Sequence, residues 1–232
     1  MTAVRATPGL AVVTGSSSGI GAAVAIRLAA DGWTVIGLDR EPATEAGPHL
    51  ARQIVVDLTD ETQVLAAVAG LGNVQALVHA AGFMRTGTLG GLEAADGQAM
   101  WAVHVRALTL LANALAPRMG PGGRILAIGS RTSAGAAGKS QYAACKAAVT
   151  ALIRSWAIEL AGQGVTANVI APAATATPML TSGARAAVAP VLPPIGRYIE
   201  PREIAAYAAF ILSADAAAIT GQELLICGGA SL

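Results

Sequence analysis

The 232-residue chain is sparing in several residue types at once: 12% of it is charged, 3% is aromatic, and it has only two cysteines and three histidines. Fifteen Lys and Arg nearly balance 14 Asp and Glu, for a formal net charge of +1. No global field therefore draws the phosphates of a nucleic acid or an anionic membrane to its surface, and neither partner is expected. Cys145 and Cys227 stand far apart with no CxxC pair, which argues against a disulfide framework or a structural zinc site and leaves two small core thiols. His49, His79 and His104 are too widely spaced to form a local metal motif, so no metal is expected. So few aromatics also disfavour an aromatic-lined pocket. An unbroken run of about 20 apolar residues, enough to span a bilayer, is lacking as well. The longest stretch without Asp, Glu, Lys, Arg or His, 160–184, is interrupted by Gly162, Gly164, Asn168, Pro172 and Pro178 and reads as strand plus loop. The opening MTAVRATPGL has one arginine and no apolar signal-peptide core, so a cytoplasmic location is expected.

Alanine is plentiful instead, and it produces much of the mean hydropathy of +0.57. Short apolar runs at 10–14, 34–38, 53–56, 76–78, 124–128, 165–170 and 223–226 alternate with helical stretches at about 19–31, 60–70, 97–118, 140–162 and 201–213. That alternation predicts βαβ units: an α/β fold with one doubly wound, parallel, seven-stranded sheet and helices on both faces. No repeat, low-complexity linker or charge block divides the chain, so a single domain over 1–232 is the simplest partition. Asp60 before Glu61 and Pro201 before Glu203 mark two helix starts.

Directly after the first strand lies TGSSSGIG, 14–21, followed by a helix. Gly15 allows a tight strand-to-helix turn, Gly19 lets a pyrophosphate approach the backbone, and Gly21 lets helix and strand pack closely. Ser17, Ser18 and Ile20 bring further backbone N–H groups to the positive end of the helix dipole. Asp39, at the end of the second strand, follows Gly21 at close to the spacing where an acid meets an adenosine ribose. A carboxylate there accepts from the ribose hydroxyls and repels a 2′-phosphate, favouring NAD over NADP; the neighbouring Arg40 could instead hold that phosphate. In YAACK, 142–146, Tyr142 and Lys146 share a helix face, so an ammonium stands near a phenol and favours its ionised form. Taken alone, the pair could equally be a surface Tyr and Lys.

Together and in this order, these features resemble the short-chain dehydrogenase/reductase family with its NAD(P)-binding Rossmann fold, over almost the whole chain. The resemblance places Asp57 and Leu58 at the adenine, and HAAG (79–82) where the family has NNAG, with Ala80, Ala81 and Gly82 against the cofactor. GRILAIGS (123–130) matches the strand ending in the catalytic serine, here Ser130. NVIAPAATATPM (168–179) matches the segment over the nicotinamide, with Pro172, Ala173, Thr175 and Thr177 as cofactor contacts. The implied reaction is hydride transfer between a secondary alcohol or ketone and the nicotinamide. Tyr142 would be the general base or acid, Ser130 the donor to the substrate oxygen, and Lys146 the holder of the nicotinamide ribose. The implied substrate pocket comprises Phe83, Met84, Arg131, Thr132, Ala174 and Met179, and a homo-oligomer built on the Trp101 and Trp156 helices is expected.

The sequence also departs from the family pattern. His104 fills the slot of the tetrad asparagine and is expected to complete the proton relay, either by binding its water or by carrying the proton. His79 replaces the first Asn of NNAG and is expected to brace the central strands. Ala173 replaces a glycine and requires only that the backbone avoid positive φ. Two connections look short: 39–57, with room for a rudimentary helix, and 179–196, the substrate lid. A non-catalytic dinucleotide sensor would be expected to lose the tyrosine or lysine, and a lyase on this fold the lysine and glycine turn. All of these are present. An NADP-preferring carbonyl reductase remains the main alternative.

Overall fold

The computed structural model describes residues 8–181 and 189–232. Its seven strands are β1 (Leu10–Thr14), β2 (Thr34–Asp39), β3 (Arg52–Val55), β4 (Val74–His79), β5 (Arg124–Ile128), β6 (Thr166–Pro172) and β7 (Glu223–Ile226). They pair in parallel, in the order β3-β2-β1-β4-β5-β6-β7. The helices are α1 (Gly19–Ala30), α2 (Glu61–Ala69), α3 (Ala94–Trp101), α4 (Ala107–Leu115), α5 (Ser140–Ala161), α6 (Pro178–Thr181) and α7 (Pro201–Leu212). The chain thus folds as the doubly wound α/β sheet its alternating runs predict.

Because strand side chains alternate in direction, the sheet feeds two cores. Val12, Leu77, Ile125 and Ala127 pack with Val64 of α2, Leu108 and Leu111 of α4 and Ile153 of α5. From the other face, Ala11, Val13, Leu126 and Ile128 pack with Val24 and Leu28 of α1 and Ile204 and Ile211 of α7. Each large apolar side chain so buried contributes about 1.5–3 kcal/mol by leaving water. Buried Ala22 and Ala25 on α1 and Ala205 and Ala208 on α7 let those helices lie close together. Asp60 caps α2 by accepting from the Gln63 N–H, and a reciprocal Glu200–Glu203 capping box opens α7 at Pro201.

Three elements differ from expectation. The helix expected over 97–118 starts at Ala94 and is broken by a π-helical turn, Ala102–Arg106, between α3 and α4. This run, Ala94–Arg118, is by length and composition apolar enough to cross a membrane, contrary to the expectation that no such segment exists. Half of its apolar window is buried in the fold, and Met100, Val105, Leu108, Leu111 and Leu115 all lie in the core. β4 begins two residues early, at Val74, and β6 runs on to Pro172, a residue tolerated at the strand's end.

The short link between β2 and β3 holds one 3-10 turn, Gly47–His49, in keeping with the rudimentary helix expected. Residues 1–7 of the opening segment and 182–188 of the expected lid lie outside the described residues. Trp156 packs against the core, whereas Trp101 is 48% exposed.

Candidate active site

The strand order reverses direction between β1 and β4, and at such a switch point the loops part to leave a crevice at the carboxyl ends of the strands. The residues singled out from sequence follow the ends of β1, β2, β3, β4, β5 and β6 and so gather along that edge. Two surface cavities, of about 360 and 420 Å³, lie elsewhere, beside β3 and α2 and beneath α1 and α7.

At one end of the crevice stands the glycine turn. Gly15 has φ +68°, a left-handed conformation, and its N–H donates to Leu38 O at 2.9 Å. Gly21 is constrained by contact: a Cβ there would stand 2.0 Å from Gly15 O. Ser18, at the N-cap of α1, makes no side-chain cap, so the first-turn N–H groups of Gly19, Ile20 and Gly21 keep the anion-binding character of an open helix end. A pyrophosphate fits this uncapped end. Asp39 accepts from the Ser17 N–H at 2.9 Å and the Glu41 N–H at 3.1 Å, which holds its carboxylate beside the turn. Arg40 is exposed, 3.8 Å from the Glu41 carboxylate. Asp57 accepts from the N–H and hydroxyl of Thr59, while Leu58 is buried.

In the middle, Thr14 at the end of β1 acts as a hub that sequence reading missed, although it opens the TGSSSGIG motif. Its Oγ1 accepts from the N–H groups of Ala80 and Ala81 at 3.2 and 3.1 Å. Its one proton is then left for His79 Nδ1, 3.0 Å away. That assigns the single ring proton to Nε2, which donates to Val103 O at 3.1 Å. His79 thus ties β1 and β4 to the π turn between α3 and α4. In the same turn, His104 Nε2 donates to Phe83 O at 2.8 Å, while its buried Nδ1 has no hydrogen-bond partner among the described residues. A Cβ on Gly82 would stand 2.2 Å from His104 Cε1, so the imidazole fills the space that glycine leaves.

Burial, and secondarily the charge of Lys146, holds both imidazoles neutral: His79 falls from 6.5 to about 3, and His104 well below its ordinary value. An unfolded chain takes up these protons below about pH 6.5 while the folded one does not. Stability from His79 is therefore complete above that pH and lost as pH falls toward about 3, at about 1.4 kcal/mol per pH unit, and His104 acts in the same direction. Urea midpoints should drop between pH 7.5 and pH 5, and His79→Asn should flatten that slope. Parallel pH dependences in the two proteins would contradict the assignment.

At the far end, Tyr142 and Lys146 are both buried, one turn apart on α5. Lys146 Nζ donates to Ile128 O at 2.6 Å and lies 5.7 Å from the centroid of the Tyr142 ring. Desolvation lowers the Lys146 pKa to about 8, so it is still mostly an ammonium at neutral pH. The Tyr142 ring meets His104 edge-on, with centroids 5.5 Å apart. Ser130, after β5, is buried with Thr132 beside it, its Oγ 2.8 Å from Thr132 Oγ1. Opposite lies the segment after β6: Thr175 Oγ1 donates to Ala173 O, Ile199 N to Ala174 O, and Thr177 stands 3.2 Å from where a Gly19 Cβ would be.

The remaining expected pocket residues are less uniform. Phe83 is half-buried under the Arg85 guanidinium, and Met179 is half-buried, but Met84 belongs to the core. Arg131 has no ion pair among the described residues, whereas Arg85 lies 3.7 Å from Asp96.

The glycine turn and Asp39 at one end of this sheet edge, with Ser130, Tyr142 and Lys146 toward the other, have the layout of a nicotinamide-dependent oxidoreductase. A family model described as enoyl-(acyl carrier protein) reductase matches residues 15–231. Subunit BbsD of the (2S)-[(R)-hydroxy(phenyl)methyl]succinyl-CoA dehydrogenase of Thauera aromatica is 33% identical, covering 96% of each chain. The 3-oxoacyl-(acyl-carrier-protein) reductase FabG of Vibrio cholerae is 34% identical over 95% of this chain and 96% of its own. A short-chain dehydrogenase from Burkholderia cenocepacia, solved in complex with NADP, superposes with a TM-score of 0.85 at 33% identity, over 96% of this chain and 97% of that one. The chain belongs to the short-chain dehydrogenase/reductase family. It is an oxidoreductase of that family with an NAD(P) cofactor site.

Proposed function

We propose that this chain interconverts a secondary alcohol and a ketone using NAD(H), with Tyr142 as general base in oxidation and general acid in reduction. The observation that carries this reading is the buried pair in which Lys146 places an ammonium beside the Tyr142 phenol. The nicotinamide, when bound, supplies or receives the hydride. Tyr142 takes the carbinol proton or returns it, and Ser130 donates to the substrate oxygen as negative charge grows there. Lys146 holds the nicotinamide ribose and keeps positive charge near the phenol. His104, held neutral by burial, would serve the relay as a hydrogen-bonding group rather than by carrying charge, and its Nδ1, buried without a partner among the described residues, is the acceptor a water would have to reach. Pro172, Ala173, Thr175 and Thr177 would hold the nicotinamide, and Phe83, Ala174 and Met179 would border the substrate.

Asp39 supports NAD: its carboxylate, held beside the turn by the Ser17 and Glu41 N–H groups, would repel the 2′-phosphate of an adenosine ribose bound there. NADP is the second reading, favoured by the exposed Arg40 and by the NADP in the Burkholderia enzyme. A panel of secondary alcohols and ketones assayed with both cofactors should give turnover, fastest with NAD(H). Asp39→Ser should move the preference toward NADP(H) by about tenfold, about 1.4 kcal/mol. A tenfold preference for NADP in the wild type would overturn the Asp39 reading, and an absence of both turnover and cofactor binding would overturn the proposal.

A further inference from the structure

We propose that Thr132 is a positioning residue that fixes the direction in which Ser130 offers its hydroxyl proton. The inference rests on the role just given to Ser130 and adds a second hydroxyl to it. The 3-10 turn Arg131–Ala134 folds the chain back over the end of β5, closed by Ser133 N donating to Ser130 O at 2.9 Å. Thr132 is thereby laid against Ser130 twice: its N–H donates to Ser130 Oγ at 3.2 Å, and the two hydroxyl oxygens are 2.8 Å apart. Both side chains are buried, at 8% and 9% exposure, so bulk water does not compete for these bonds. The turn is also tied down from outside, because Ser133 Oγ donates to Glu223 Oε1 of β7 at 2.8 Å.

A hydroxyl has one proton and two lone pairs. The Thr132 N–H occupies one lone pair of Ser130. If the Thr132 hydroxyl donates into the other, Ser130 has only its own proton left to offer, and it addresses the substrate oxygen as a donor. If Ser130 donates to Thr132 instead, it turns a bare lone pair toward an oxygen on which negative charge is developing. The transition state selects the first arrangement, in which the donor is already oriented before the charge appears. Thr132 Oγ1 has no other hydrogen-bond partner among the described residues, so nothing draws its proton elsewhere.

Thr132→Val keeps the side-chain shape and the backbone N–H and removes only the hydroxyl. It should lower kcat about tenfold, a fraction of the effect of deleting an oxyanion donor, with the KM for the cofactor unchanged. Thr132→Ser, which keeps the hydroxyl, should restore the rate. In a Ser130→Ala background Thr132→Val should cost nothing more, because the group it acts through is gone. Should the valine variant melt below the assay temperature, Thr132→Ala in the same two backgrounds gives the same comparison. Wild-type kcat in Thr132→Val, or an equal loss with and without Ser130, would overturn the inference. A Ser130→Ala variant of undiminished activity would instead overturn the underlying reading of the site.

Discussion

Replacing Tyr142 by phenylalanine should lower kcat by about 1,000-fold, within the range that one general acid or base contributes, while cofactor binding and the melting temperature stay near wild type. The ring does structural work that phenylalanine can do equally well: it is buried in the core and meets the His104 imidazole edge-on at 5.5 Å. Only the hydroxyl carries the proton. The same assays locate the lysine, because its pKa near 8 means that the ammonium beside Tyr142 is lost as the pH rises through that value. The rate of ketone reduction should therefore decline above about pH 8. His104→Asn, measured across the same range, should lower the rate, because the shorter amide does not reach the position of the imidazole Nδ1. Identical rates and limbs would take His104 out of the relay. A Tyr142→Phe enzyme retaining a tenth or more of wild-type kcat would show that the proton moves by another route.

Gly21→Ala should be comparably damaging, for a different physical reason. The new Cβ would lie 2.0 Å from Gly15 O and 2.6 Å from Gly15 C, backbone atoms that cannot give way without moving the turn. Gly15 is itself in a left-handed conformation, held by its bond to Leu38 O, and leaves no room for a side chain, since a Cβ on it would stand 2.7 Å from Ala81 N. Overpacking of this kind costs about 1–3 kcal/mol, which lowers Tm by several degrees in a chain of this size, about 2–4 °C per kcal/mol. The larger effect is on the crevice, since the displaced turn no longer presents the N–H groups at the start of α1. The dissociation constant for the dinucleotide should rise at least about tenfold. Wild-type affinity by fluorescence titration would mean that the turn does not hold the phosphates.

The strands were legible where apolar runs stop abruptly. β1, β5 and β7 begin and end where their runs do, because Gly15, Gly129 and Cys227–Gly228 interrupt the pattern at once. α5 and α7 were equally clear, each a long periodic segment with few competing signals. β4 began earlier than its run because Val74 and Gln75 precede the continuous apolar stretch, and a pairing partner in β1 decides a strand's start as much as its own composition. The π turn had no signature. What holds the turn is His79, reaching Val103 O from 24 positions away.

The site shows the same division. Gly15, Asp39, Ser130, Tyr142 and Lys146 could be named because each chemistry demands a residue type at a local spacing. The bonds that aim them could not. Thr14 gathers Ala80, Ala81 and His79 across two strands, and Thr132 leans on Ser130 only because of how the chain turns after β5. Met84, a pocket residue by position, is buried in the same core cluster as Tyr142.

The most direct measurement of the central claim follows the hydride itself. A ketone turned over in the cofactor panel is reduced with NADH carrying two deuterium atoms at C4, and the product alcohol is examined by mass spectrometry and NMR. Direct transfer within the Tyr142 and Lys146 site predicts one deuterium on the carbinol carbon, none washed out to solvent, and no labelled product from Tyr142→Phe beyond its residual rate. An alcohol free of label, or no reduction of any ketone by a protein that binds the cofactor, would contradict it.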